Sequence, residues 1–223
     1  MSGTVGIIAN DSARYTLFAA SLVNLRTPVN TAISWAVGSD RIVGRNNIVR
    51  QALDQGSEWV LFLDDDHAFG PDLLLRLLAH DQPIVASLYM GRARPFAPIA
   101  YGEKQDDGTY LPIQLPGLPE SGLLAVVAAG TGGMLIRSEI FRAVGEPWCE
   151  HGRASEDLIF CDKAREAGFP IYLDLATHLG HLAPCSIWPT FLEGEWAVGF
   201  TVTDGTSLYV RIEPAETPEL ASV

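Results

Sequence analysis

Short apolar runs and longer segments with helical periodicity alternate along the first half of the chain. The runs that we predict to be strands are Val5–Ala9, Thr31–Val37, Trp59–Leu63 and Pro83–Leu88, and the predicted helices between them are Tyr15–Leu25, Arg45–Gln55 and Pro71–Ala79. Such alternation is typical of a mostly parallel sheet with helices on both faces. Ligands of these sheets bind beyond the carboxyl ends of the strands, so polar residues that follow a strand are candidates for a site.

The second half of the chain predicts smaller additions to this sheet. The predicted elements are a hairpin or long loop with Ala97–Tyr101 and Thr109–Ile113, a strand Leu123–Ala129, a helix from about Ser138, a helix Ser155–Ala167, a strand Pro170–Leu173, and a C-terminal hairpin of Trp196–Thr203 and Ser207–Ile212 around Asp204-Gly205. The chain has 223 residues and is 48% hydrophobic, which suffices for one substantial core. We therefore predict one α/β domain over 1–185, with an extension over 186–223 whose hairpin packs on that domain.

Three carboxylates, Asp64, Asp65 and Asp66, directly follow the predicted strand that ends at Leu63. Adjacent like charges repel, so this arrangement costs stability unless something positive binds there. Hard divalent cations such as Mg²⁺ and Mn²⁺ prefer oxygen ligands, and Asp64 and Asp66 could share one metal. An acidic turn ahead of the next helix is the simpler alternative, but such turns seldom follow a buried strand so abruptly.

A second pair of acids, Glu156 and Asp157, opens the predicted helix after Ser155. Ser155 is a good N-cap, and acids in a first turn suit the helix dipole, which explains Glu156 well. Asp157 lies on the apolar stripe of Phe160 and Cys161 and should face inward. A carboxylate on an apolar face usually has a partner or a function, so we favour a functional role for Asp157.

Two histidines and a glycine turn complete the candidate residues. His178 and His181 follow the predicted strand Pro170–Leu173, and imidazole can complete a carboxylate metal site. Gly132 and Gly133 belong to a turn that lacks the full dinucleotide and phosphate-loop patterns. These glycines would let a substrate approach the backbone, although a plain tight turn explains them equally well.

The order of these motifs resembles the glycosyltransferase-A fold, a Rossmann-like α/β domain, and family-2-type glycosyltransferases in particular. The resemblance covers roughly residues 3 to 182. The matching segments are Arg45-Asn46-Asn47 before the acidic strand, Asp64-x-Asp66 as the DxD motif, Gly132-Gly133 on the acceptor side, Glu156-Asp157 as the ED-containing helix, and His178-Leu179-Gly180 as the late metal-binding histidine.

The resemblance implies roles for these residues. Arg45 and Asn46 would face the nucleotide pocket, and Asp64, with Asp65 beside it, would contact the donor nucleoside. Asp66 would bind the Mn²⁺ or Mg²⁺ that bridges the diphosphate, with Asp64 as the other candidate carboxylate.

His178 or His181 would be the second protein ligand of that metal. Asp157, beside Glu156, would be the general base on the acceptor hydroxyl, which favours an inverting reaction. Retention would need no such base, and Asp157 would then only orient the substrate. The implied donor is a UDP- or GDP-linked sugar, and the acceptor stays open.

Composition argues against some functions and indicates where in the cell the protein is expected. The net charge is −12 and the pI is about 4.7, whereas a general nucleic-acid binder is normally basic. The three cysteines are odd in number and widely spaced, and the first residues show no signal-peptide pattern, so we expect a cytoplasmic protein. The apolar runs, such as Leu123–Ala129, are too short to span a bilayer.

Other functions remain open on sequence grounds. A nucleotidyltransferase of similar fold would also use acidic metal ligands, but it normally carries a Gly- and Arg-rich loop where this chain has 10–14. A catalytically silent module that binds nucleotide sugars is a further alternative, as is an aspartyl-nucleophile phosphatase, whose motif would normally follow the first strand. Trp188 and Trp196 near the C-terminal hairpin leave open an acceptor cover, a homodimer contact or a plain core role.

Overall fold

The structure is a computed structural model that describes residues 2–9, 15–92, 96–202 and 205–211. Its helices are α1 (Thr16–Asn24), α2 (Arg41–Asp54), α3 (Leu73–Ala79), α4 (Ser138–Val144) and α5 (Glu156–Glu166). Its strands are β1 (Gly3–Ala9), β2 (Thr31–Val37), β3 (Trp59–Asp64), β4 (His67–Ala68), β5 (Ile84–Leu88), β6 (Ala100–Lys104), β7 (Tyr110–Pro112), β8 (Leu123–Val126), β9 (Ala128–Ala129), β10 (Gly133–Arg137), β11 (Ile171–His178), β12 (Gly180–His181), β13 (Cys185–Leu192), β14 (Glu195–Val202) and β15 (Ser207–Arg211).

Seven strands form the central sheet in the order β2-β1-β3-β10-β5-β11-β8. Strands β2, β1, β3, β5 and β11 run in one direction, and β10 and β8 run against them. The predicted mostly parallel α/β sheet is therefore confirmed. The antiparallel insertion of β10 between β3 and β5 was not predicted, because a short buried apolar run carries no signal for strand direction.

The register brings the ends of several strands to one edge of the sheet. Ile8 of β1 pairs with Asp64 of β3, and Leu63 pairs with Gly133, the first residue of β10. On the other side of β10, His178 at the end of β11 pairs with Leu88 at the end of β5, after an irregularity in the pairing. The predicted site residues of three strands thus share the carboxyl edge of the parallel strands.

Two hydrophobic clusters cover the two faces of the sheet. Phe62 of β3 packs in the cluster that contains residues of α2, α4 and α5, such as Ile48 and Phe160. Its neighbours Leu61 and Leu63 pack in the other cluster, which contains residues of α1 and α3. Successive side chains of a strand point to opposite faces, so a run of buried residues requires helices on both.

Smaller sheets lie beside the central one. The predicted central hairpin is confirmed as β6 and β7, and Gly108 in its turn has a φ of +89°, which glycine adopts without strain. The predicted strand Leu123–Ala129 is wrong as one element, because it divides into β8 of the central sheet and β9, which pairs with β6. The two-residue strands β4 and β12 pair with each other.

The chain divides into two compact units, and the larger one ends at Leu182. In the smaller unit, β14 and β15 pair as the predicted C-terminal hairpin; Asp204 of its turn lies outside the described residues, and Gly205 has a φ of +83°. A third strand, β13, precedes them, joined to β14 through Glu193 and Gly194. The packing of this unit on the domain stays a prediction. None of the described helices combines the length and apolarity that a membrane-spanning helix needs.

Candidate functional site

The acidic turn after β3 lies at the carboxyl edge of the sheet. The Asp64 amide donates a hydrogen bond to the Gly132 carbonyl oxygen at 3.4 Å, and the Asp65 amide donates to the Ile8 carbonyl oxygen at 3.1 Å. These bonds hold the turn between the end of β1 and the beginning of β10. The three carboxylates therefore meet at the position where sheets of this kind bind their ligands.

Arg45 of α2 connects the acidic turn to the start of α5. Its side chain is buried and donates hydrogen bonds to Asp64 Oδ1, at 2.9 Å, and to Glu156 Oε1. Burial alone would lower the pKa of Arg45, but the Asp64 and Glu156 carboxylates outweigh it and raise that pKa, so the guanidinium stays charged. The structure therefore places the predicted nucleotide-binding Arg45 between two protein carboxylates.

Glu156 and Asp157 differ in environment. From the sequence, we predicted that Glu156 interacts favourably with the helix dipole. In the structure, Glu156 is buried against Arg45, and the Arg41 Nε lies 3.5 Å from its carboxylate. Asp157, which the sequence placed facing inward, is half-buried, and its Oδ1 accepts hydrogen bonds from Ser155 Oγ and the Leu158 amide.

Burial raises the pKa of Asp157, and the adjacent Glu156 charge raises it further. The hydrogen bond from Ser155 and the positive charge of Arg45 oppose this shift without cancelling it. A carboxylate with a raised pKa binds a proton more strongly than an ordinary surface aspartate, as a general base requires.

Asp66, His67 and His181 form a group that could hold a metal ion, with one donor atom of each within 4.8 Å of the others. His181 Nε2 lies 3.4 Å from Asp66 Oδ2. The other ring nitrogen, Nδ1, is 2.9 Å from the Met90 carbonyl oxygen. Because a carbonyl only accepts, Nδ1 is the donor, and in the neutral ring Nε2 keeps its lone pair on the side of Asp66. Metal-bound histidines commonly have such a carbonyl behind them.

The short pairing of β4 with β12 positions this group. His181 is the register partner of His67, and the Leu182 amide donates to the Asp66 carbonyl oxygen at 2.7 Å. His178, the other histidine left open by the sequence, is exposed, and its Nε2 lies 2.7 Å from the Leu175 carbonyl oxygen. The structure therefore brings His181 to Asp66 and leaves His178 outside the group.

Gly132 and Gly133 make room for side chains of the site. A Cβ on Gly132 would lie 2.5 Å from His67 Cε1 and 3.0 Å from Asp64 Oδ2. A Cβ on Gly133 would lie 2.2 Å from Cδ1 of Leu179, the residue before β12. The close approach of neighbouring side chains to the backbone therefore explains why glycine occupies both positions. The place of these glycines on the acceptor side stays a prediction.

A cavity of about 340 Å³ adjoins the acidic turn. Its lining residues are Ile8, Ala9, Gly38, Ser39, Arg41, Asp64, Asp65 and Asp66. This volume lies within the range of small-molecule sites. A larger cavity of about 550 Å³ lies against α5 at Asp162 and Arg165, away from the acidic turn, so we assign the candidate site to the smaller cavity.

Asn46 holds a neighbouring loop. Its amide nitrogen donates to the Cys149 carbonyl oxygen at 2.8 Å, and its amide oxygen accepts from the backbone amides of Trp148 and Cys149. Its predicted contact with a nucleotide stays a prediction. The predicted helix began at Arg45, whereas α2 begins at Arg41 behind an Asp40 N-cap, so Arg41 lies in the first turn of the helix and lines the cavity.

No family model matches the chain, and no curated protein matches it with significance. Among solved structures, A197 from STIV is similar over 96% of this chain and 100% of its own, with a TM-score of 0.59 and 14% identity. GalNAc-T7, solved with UDP, GalNAc and Mn²⁺, is similar over 87% of this chain, with a TM-score of 0.60 and 13% identity. S. aureus TarS 1-349, solved in complex with UDP-GlcNAc, is similar over 78% of this chain, with a TM-score of 0.51 and 15% identity.

The matches to GalNAc-T7 and TarS span 45% and 55% of the lengths of those chains, whereas the match to A197 spans all of it. At such low identity the likeness concerns the arrangement of helices and strands and not the chemistry. GalNAc-T7 and TarS are glycosyltransferases of the A type. Together with the mostly parallel sheet and its helices on both faces, these neighbours show that the chain has the glycosyltransferase-A fold.

Proposed function

We propose that the chain is a metal-dependent, family-2-like glycosyltransferase that moves a sugar from a UDP- or GDP-linked donor to an acceptor hydroxyl, with inversion. The observation that supports this proposal most strongly is the meeting of Asp66 and His181 beside the cavity lined by the acidic turn. GalNAc-T7, which shares the fold, was solved with UDP, GalNAc and Mn²⁺, and TarS with UDP-GlcNAc.

The donor nucleoside would occupy the cavity between the ends of β1 and β2 and the acidic turn. Asp64 and Asp65 would bind its hydroxyl groups as hydrogen-bond acceptors. Arg41, whose side chain is largely exposed, would supply positive charge for the diphosphate. Arg45 would act indirectly, by fixing the position of Asp64 through their hydrogen bond.

The residues present fit a divalent cation. Asp66 offers carboxylate oxygens and His181 offers Nε2, and the hydrogen bond to Met90 fixes the orientation of that ring. Carboxylate and imidazole together suit Mn²⁺, and the carboxylates of the turn would also accept Mg²⁺. A cation held there would neutralise the negative charge that develops on the leaving diphosphate.

Asp157 would take the proton from the acceptor hydroxyl as that hydroxyl attacks the sugar. Its half-buried position and raised pKa support this role. Glu156, paired with Arg45, would keep the start of α5 in place beside the acidic turn. Gly132 and Gly133 would lie on the acceptor side.

The cellular location and the partners of the protein also belong to this proposal. Cys149, Cys161 and Cys185 are free thiols, which suits the reducing cytoplasm. The proposal includes a homodimer, and it requires a hydroxyl group on the acceptor.

A turnover assay with different nucleotide sugars, nucleoside triphosphates and acceptors tests the proposed reaction. In Mn²⁺ buffer with a UDP- or GDP-sugar, we expect free nucleoside diphosphate to accumulate, and to stop accumulating after the metal is chelated. Stabilisation by the donor without turnover across an acceptor panel would instead support a silent binding module. Release of pyrophosphate from ATP or CTP would support a nucleotidyltransferase.

A further inference from the structure

We propose that His67 is a third protein ligand of the cation, so that Asp66, His67 and His181 form an Asp–His–His site that prefers Mn²⁺, Co²⁺ or Zn²⁺ to Mg²⁺. This inference rests on the proposed function, because it concerns the cation of the same site. It adds to that function a ligand and a metal preference that the DxD motif and one late histidine do not imply.

The spacing of the donor atoms fits one coordination sphere. His67 Nδ1 lies 3.6 Å from Asp66 Oδ1, and His181 Nε2 lies 3.4 Å from Asp66 Oδ2. Metal–ligand bonds of about 2.1 Å place neighbouring donor atoms about 3.0 to 3.4 Å apart in octahedral or tetrahedral sites. The two distances to Asp66 therefore lie within a few tenths of an ångström of this range, and one donor atom of each of the three residues lies within 4.8 Å of the others.

The surroundings of His67 hold its ring toward this position. The side chain is 1% exposed, and its ring stacks on that of His181 with centroids 4.6 Å apart and an angle of 30° between the planes. Tyr89 meets the ring edge-on, also at 4.6 Å. The missing Cβ of Gly132 leaves the space that the imidazole occupies. A side chain that is ordered before binding loses little conformational freedom when it ligates a metal.

A second imidazole changes which metals the site favours. Mg²⁺ prefers oxygen ligands and near-ideal octahedral geometry, and it gives up water reluctantly. Transition metals accept imidazole readily, and their affinity for nitrogen donors exceeds that of Mg²⁺. With two nitrogens and one carboxylate as protein ligands, the site should therefore distinguish Mn²⁺ from Mg²⁺ more strongly than a site built from carboxylates alone.

Pulsed electron paramagnetic resonance of bound Mn²⁺ counts the histidine ligands directly. In protein labelled with ¹⁵N-histidine, we expect couplings to two histidine nitrogens in the wild type and to one in His67→Gln. Couplings to a single histidine nitrogen in the wild type would overturn the proposal. Because this result comes from the wild-type protein, it does not depend on whether a variant folds.

Calorimetric titration with Mn²⁺ and Mg²⁺ provides a second readout. His67→Gln should weaken Mn²⁺ binding by at least about tenfold and change Mg²⁺ binding far less, whereas replacement of the exposed His151 should change neither. Unchanged Mn²⁺ affinity in a folded His67→Gln protein would overturn the third ligand and leave the proposed function standing. A wild-type protein that binds no divalent cation would overturn both.

Discussion

Arg45 is buried between two carboxylates that come from distant parts of the chain. Its guanidinium bonds Asp64, at the end of β3, and Glu156, which is 111 residues away at the start of α5. A charge in such a place is stable only while its partners and their hydrogen bonds remain. Arg45 thus links the two acidic motifs of the candidate site.

Replacement of Arg45 by Met should lower the free energy of unfolding by about 3 to 5 kcal/mol, because Asp64 and Glu156 would both lose the buried cation with which they pair. Denaturant titration followed by circular dichroism measures this change. Arg50 lies on the same helix, and its ion pair with Glu146 is exposed, so Arg50→Ala should change stability little. Equal losses in the two variants would contradict the role of Arg45.

Asp157→Asn should slow sugar transfer by about a hundredfold to ten-thousandfold and leave donor affinity nearly unchanged, because the amide cannot accept the hydroxyl proton. The wild-type rate should fall as the pH drops through the pKa of Asp157, which burial raises, since protonation removes the base. The pH dependence of kcat/KM, beside donor binding by the variant, tests both expectations. A variant that retains the wild-type rate would exclude Asp157 as the base.

The smallest elements of the chain were the hardest to predict. The strands β1, β2, β3 and β5 and most helices follow from apolar periodicity, which is a local property. The pairing of β4 with β12 brings His67 beside His181, and each of these strands has only two residues. So short an element has no apolar periodicity from which it could be predicted. The sequence therefore indicated Asp66 and both late histidines, but it could not distinguish His181 from His178 or recognise His67.

Asp174 connects β11 to the end of α3. Its Oδ2 accepts from Thr177 Oγ1 at 2.6 Å and lies 2.8 Å from His80 Nε2, and its Oδ1 accepts from the Ala176 amide. Burial alone would raise the pKa of Asp174, but the hydrogen bonds from Thr177, His80 and Ala176 outweigh it, so its pKa lies below the ordinary value. These bonds favour the ionised carboxylate and the folded state together.

The contribution of Asp174 to stability should therefore be complete above about pH 4, the ordinary aspartate pKa, and should be lost as the pH falls further through the lowered pKa of the folded state. Guanidinium denaturation between neutral and acidic pH should show a shallower loss of stability in Asp174→Asn than in the wild type. Asp72→Asn, at an exposed acid before α3, should keep the wild-type slope. Identical slopes in wild type and Asp174→Asn would exclude this linkage.

At the scale of the whole molecule, the fold and the site depend on different properties of the sequence. Apolar patterning determines the layers, and this accounts for the likeness to A197, GalNAc-T7 and TarS at 13 to 15% identity. The site depends on contacts between distant residues, such as Arg45 with Glu156, which no local pattern reveals. Ligands of such sheets bind at the carboxyl edge of the parallel strands, and this rule connects the fold to the site. It predicted where the polar residues would lie close together.

The most direct test of the central claim is the affinity of a nucleoside-diphosphate sugar measured by calorimetry with and without Mn²⁺. We expect the wild type to bind a UDP- or GDP-sugar with Mn²⁺ and to lose at least about tenfold in affinity after chelation, and Asp66→Ala and His181→Ala to lose as much in the presence of Mn²⁺. His178→Ala should bind nearly as the wild type does, because His178 lies outside the group. Donor affinity that is equal in the wild type and Asp66→Ala would contradict the account.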